Sequence, residues 1–181
     1  VKAFAREFGR EEFEDLPIEN IHYLSDGGVE KFTKGRLATG SHATVLGQVL
    51  VDRQEDLDTA ITTFHELWHA IGSYKAVQVA KGGTLEWYRS GFSVKSRDAQ
   101  KDWFYRLDEG LTGFMTKRFV EEVLEKNLEF KKLIKEKGAD GEEVDTTRRG
   151  EVKLLHQIAD AVYEKNKDSF KSSKEVIDMF L

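Results

Sequence analysis

The segment Thr63-Phe64-His65-Glu66-Leu67-Trp68-His69-Ala70 constrains this chain more than any other. Around it, Ile61, Phe64, Trp68 and Ile71 recur at steps of three and four, which makes one apolar stripe on a helix. The spacing predicts a helix over 57–74. On such a helix His65 and His69 stand about 40° apart and one turn along the axis, so their imidazoles converge on one point. Convergent imidazoles suit a tetrahedral zinc ion. Glu66 lies about 100° round from His65, where it can reach a metal-bound water without taking a coordination position, as a general base must.

Two histidines are too few for a catalytic zinc, which takes three protein ligands and a water. The chain has no cysteine, so the third ligand must be a histidine or a carboxylate. After His69 the next histidine is His156, which excludes the extended HExxH form with a third histidine close behind. The best carboxylate lies in Arg106-Leu107-Asp108-Glu109-Gly110-Leu111-Thr112-Gly113-Phe114. Helical spacing puts Glu109, Thr112, Gly113, Thr116 and Val120 on one face, while Leu107, Leu111, Phe114 and Met115 point elsewhere. A face of small side chains lets two helices approach closely. A glutamate on that face can then reach a metal held by the facing helix. Glu109 therefore reads as the third ligand in preference to Asp108.

His65-Glu66-x-x-His69 followed by Asp108-Glu109-Gly110 resembles the gluzincin group of zinc metallopeptidases, whose third ligand is a glutamate on a second helix. The resemblance covers about residues 43–120 and is closest to compact bacterial and archaeal members without large accessory domains. It implies a zincin-like α+β fold. A small N-terminal mixed or antiparallel sheet would be followed by the HExxH helix, the glutamate helix and C-terminal helices. It further implies one Zn2+ per chain held by His65, His69 and Glu109, with Glu66 as base and the strand at 43–51 lining the cleft. Members related to thermolysin carry an aspartate four residues after the ligand glutamate, as partner of a histidine. Here that position is Gly113, which leaves Asp108, Thr112 or a backbone carbonyl for the role. The 39 residues between His69 and Glu109 exceed the minimal members' connection, so 85–98 is expected to form a hairpin over the site.

The implied activity is zinc-dependent hydrolysis of peptide bonds, with Glu66 moving the proton and one further donor for the oxyanion. Candidate donors are His156, Tyr163 and Tyr105, with His156 carried as the catalytic candidate. A protein or peptide substrate would dock as an added strand along the sheet edge. The alternative is a non-catalytic binding module of the same architecture that acts through protein partners.

The rest of the chain bounds these readings. At 181 residues it reads as a single domain, 1–181, with a core at about 43–120 and a helical C-terminal part at 121–181. The net charge of −5, with no large basic tract, argues against nucleic-acid binding. The longest uncharged run, 37–51, is broken by Gly, Ser, Thr, His and Gln, so no membrane span is expected. The chain reads as soluble, with the cytoplasm favoured but the compartment and oligomeric state left open. Val1 in place of Met marks a trimmed chain or a piece of a longer one. A short helix is expected around Phe4 and Phe8, strands at 21–24, 29–32 and 43–51, and a hairpin at 85–94. A long helix is expected at 99–126, a loop at 138–150, and two closing helices. The acidic-apolar tail 175–181 is expected to fold over the cleft.

Overall fold

Aliphatic runs build the first sheet. Ile21–Leu24 forms β1 and Gln48–Asp52 forms β3, and the two pair in parallel with Ile21 opposite Val49. Gly40–Ala43 forms β2, antiparallel to β3, so the order is β1-β3-β2. Val49, Leu50 and Val51 on the central strand are all buried, as expected of a strand covered on both faces. The structure, a computed structural model, describes residues 6–7, 16–35, 38–43, 46–72, 75–79, 85–95, 101–139 and 149–181. Of the expected helix around Phe4 and Phe8 only residues 6 and 7 are described, and they are helical, while most of the expected loop at 138–150 lies outside these residues.

Two expected strands are corrected. The run 43–51 is two strands, because Leu46 and Gly47 form a turn. Leu46 N–H donates to the Ala43 carbonyl at 3.0 Å, and Gly47 takes a φ of +64°, which a residue with a Cβ resists. The run 29–32 is the short helix α1, Gly28–Phe32. Its start is held by the Asp52 carboxylate, which accepts the Val29 N–H at 2.8 Å. A carboxylate at a helix N-terminus satisfies an orphan donor and suits the dipole, and this tertiary contact outweighs the local preference of Val29.

The helix predicted at 57–74 is α2, Asp56–Gly72. Asp56 and Asp58 in its first turn complement the dipole. Leu57, Ile61, Phe64 and Trp68 bury one stripe, as their spacing requires. After it comes a second, antiparallel sheet of β4 (Lys75–Val79), β5 (Leu85–Ser90), β6 (Ser93–Lys95) and β7 (Asp102–Trp103). The hairpin expected at 85–94 is its β5–β6 unit. The long helix is α3, Tyr105–Glu122, and starts later than 99 because 102–103 pair with β6. Phe104, at φ +61°, turns the chain into α3, and its carbonyl accepts the N–H groups of Leu107 and Asp108. Among the described residues three more α-helices follow, α4 (Leu128–Ala139), α5 (Arg149–Lys165) and α6 (Ser173–Phe180).

The main core joins Phe64 and Trp68 of α2, Leu111 and Met115 of α3, Leu155 and Ala159 of α5, and Val176 and Ile177 of α6 with Leu181. The tail is therefore part of the core and does not lie over the cleft. Its apolar residues recur at helical spacing, and Val176, Ile177 and Leu181 are buried in that core. A second cluster joins Leu57, Ile61, Val120 and Leu124 to Phe130, Leu133 and Ile134 of α4. The chain is thus a mixed α+β protein in which α3 is flanked by α2 and α5. None of its described helices is long and apolar enough to cross a membrane.

Gly110 sets the α3–α5 crossing. A Cβ there would lie 2.6 Å from the Glu151 carbonyl oxygen and 3.2 Å from Leu155 Cβ. Gly110→Ala gains up to ~1 kcal/mol of helix propensity, but its overlap with a backbone carbonyl costs ~1–3 kcal/mol. The expected result is a net loss of stability, read as a lower urea midpoint. An unchanged or higher midpoint would show that the crossing relaxes freely.

Candidate metal centre

The stripe that buries Phe64 and Trp68 turns the adjacent face of α2, carrying His65 and His69, toward α3. The two helices run antiparallel, since His65 meets Thr116 while His69 meets Thr112 and Asp108. Glu109 projects from α3 between the two rings. His65 Nε2 lies 3.5 Å from Glu109 Oε2, and His69 Nε2 lies 3.5 Å from Glu109 Oε1. One donor atom from each of the three residues lies within 4.8 Å of the others. A tetrahedral ion bonded at about 2.0–2.1 Å sets its ligand atoms about 3.4 Å apart, so two of these spacings already have the right size. The Glu109 side chain is only 6% exposed, and those of His65 and His69 are 15% and 13% exposed. The sequence-predicted set of His65, His69 and Glu109 is therefore close enough to hold a metal ion.

The other ring nitrogens face acceptors. His65 Nδ1 is 3.2 Å from Thr116 Oγ1. His69 Nδ1 is 3.3 Å from Asp108 Oδ2 and 3.3 Å from Thr112 Oγ1. Asp108 and Thr112 thus share the place that Gly113 cannot fill. A partner at Nδ1 fixes the ring and leaves Nε2 to bind metal. The donor set fits the ion on this ground as well, because two ring nitrogens and the carboxylate converge on one point, where a single cation can join all three.

Asp108 reaches a third element. Its Oδ1 accepts the Phe92 N–H at 2.9 Å, at the β5–β6 turn. A Cβ on neighbouring Gly91 would run into that same oxygen, and Gly91 also takes a φ of +57°. The hairpin is therefore seated on the carboxylate that holds His69.

Glu66 is buried beside the cluster on α2. The strand that covers it is β2, the outer strand of its sheet, rather than the expected 43–51. A Cβ at Gly40 would stand 2.7 Å from Glu66 Cγ and 2.8 Å from Oε1. His156 is not brought to this group. It is exposed on α5, with its ring edge-on to Phe114 at 6.0 Å. Tyr163 packs against the main core with Lys167 over its ring, and Tyr105 begins α3. Gly40 and the support role of Thr116 were not foreseen. The one sequence signal was the polar ladder Asp108, Thr112, Thr116 at steps of four, matching the step of the two histidines.

No family model, curated protein or solved structure matches this chain.

The cluster's negative charge governs its titration. Burial opposes a charge on His69, but hydrogen bonds with Asp108 and Glu109 and the nearby Glu66 outweigh it and raise its pKa from 6.5 to about 10. Burial alone would raise the Glu109 carboxyl, yet the hydrogen bonds of His65 and His69 hold it far below its ordinary range. In chelator-treated protein, the stability from His69 is complete below pH 6.5 and lost as pH rises through about 10. That from Glu109 is present above pH 4.5 and lost as pH falls toward its lowered value. The chelated chain is expected to melt at falling temperature from pH 6.5 to 10, while binding of a divalent metal ion at this group would tighten over that interval because the ion displaces a proton. Thermal melts with and without zinc measure both trends. A flat curve for the chelated chain would remove this account of His69.

Proposed function

We propose that this chain is a single-domain, gluzincin-like zinc peptidase that hydrolyses peptide bonds in proteins or peptides. The observation that carries this reading is the convergence of His65, His69 and Glu109, with Glu66 one residue along and covered by an outer strand. His65, His69 and Glu109 would hold the zinc, one per chain. Bound there, zinc supplies Lewis acidity toward a carbonyl and lowers the pKa of water. The Glu66 carboxylate accepts a proton from the attacking water and delivers it to the leaving nitrogen. Burial suits that role, since a carboxylate shielded from bulk solvent exchanges protons with what lies beside it. The outer edge of β2 offers main-chain donors and acceptors to an extended peptide, which would add as a fourth strand.

The deciding experiment measures zinc content and peptide cleavage together. Wild-type protein should carry about one zinc and cleave members of a broad peptide library. Glu109→Ala should lose zinc, because it removes a ligand. Glu66→Gln should keep zinc and lose cleavage by roughly 100- to 10,000-fold. Zinc retained with no cleavage of any peptide by the wild type would overturn the peptidase reading and favour a binding module acting through partners. Absence of stoichiometric zinc would overturn the metal reading as well.

Gly40→Ala offers a subtler check. Its methyl group must displace Glu66 or Thr62, because both side chains occupy the space. Zinc content is expected to hold while kcat falls about 10- to 100-fold, the usual effect of misplacing a reacting group by about 1 Å. Undiminished kcat would show that β2 does not position the base.

A further inference from the structure

We infer that Thr116 is a positioning residue for metal binding, and that its hydroxyl selects the ring tautomer with which His65 meets the ion. This rests on the metal reading of His65, His69 and Glu109. Thr116 is buried on α3, and its Oγ1 donates to the Thr112 carbonyl at 2.8 Å. A threonine hydroxyl has a single hydrogen. With that hydrogen committed to the backbone, Oγ1 can only accept from His65 Nδ1, 3.2 Å away. Nδ1 therefore carries the ring proton when the imidazole is neutral, which leaves Nε2, on the Glu109 side, as the nitrogen that meets the ion. The opposite tautomer would aim an N–H at the point where the ion must sit, and would leave Nδ1 as an acceptor against an oxygen with no hydrogen to give. His69 has both Asp108 and Thr112 for the same purpose, whereas Thr116 is the hydroxyl that faces His65.

The side-chain type matters in each part. Bonding to the carbonyl four residues back is a habit of threonine and serine within helices. In an exposed helix that bond has no consequence beyond the helix. Here it determines what the hydroxyl offers to the neighbouring helix. Valine matches the shape of threonine and removes the hydroxyl, and serine keeps the hydroxyl and removes the methyl group.

The test compares wild type, Thr116→Val and Thr116→Ser by zinc competition against a chelator at neutral pH. Thr116→Val is expected to weaken zinc binding about 10- to 100-fold, and Thr116→Ser to stay within a few-fold of wild type. Equal affinities for wild type and Thr116→Val would overturn the inference, as would Thr116→Ser binding as weakly as Thr116→Val. A wild type that binds no zinc would instead bring down the metal reading, so the two failures are distinct. Should Thr116→Val not fold, long-range proton–nitrogen NMR of zinc-loaded wild type supplies the second measurement. A His65 ring protonated at Nδ1 and coordinated through Nε2 supports the inference, and the reverse assignment overturns it.

Discussion

Burying the Glu109 carboxylate between two imidazoles is the constraint on which the rest of this structure depends. A carboxylate taken out of water costs several kcal/mol unless its charge is answered. Glu109 is answered by His65 and His69, and each histidine by oxygens on α3. For these pairs to form, α2 and α3 must lie close, antiparallel and in one register. The core enforces that placement, since Phe64 and Trp68 on one helix and Leu111 and Met115 on the other bury together directly beside the polar face. Phe119 completes the lock by stacking on Phe64 with ring centres 4.2 Å apart. The apolar contacts thus hold in place an electrostatic cluster that would be unfavourable alone.

The parts of this arrangement that were legible in the sequence are those encoded within single helices. The step of four between His65 and His69, the placement of Glu66 and the small face around Glu109 are all local, and the structure puts them where periodicity does. The tail was misread for lack of tertiary information, because an acidic-apolar segment fits a lid and a docked helix equally well. The β-strand region misled for a related reason. Val29 belongs to a helix because a carboxylate 23 residues away caps it, and 43–51 is divided because Gly47 sits in a turn. Thr116 and Gly40 act across elements. Their importance lies in the register of one helix against another and of a strand against a helix, which no window of sequence contains.

The two sheets hold the cluster from different sides. The first brings Gly40 against the glutamate expected to act as base, and the second brings the β5–β6 turn to Asp108. In both places the residue against the carboxylate is a glycine, whose missing Cβ leaves the space the side chain occupies. Glycine backbone therefore lies against both acids.

The seating of Gly91 on Asp108 bears on how this protein can be handled. Hairpin tips are ordinarily where a chain accepts insertions, tags or permuted ends, because little packs against them. At the β5–β6 tip the backbone is fastened to the residue that holds His69, so a peptide spliced there would pull on a half-buried ring. Labels or fusion partners for this chain belong elsewhere, on exposed positions such as those at the start of α4, where Leu128 stands almost wholly in solvent.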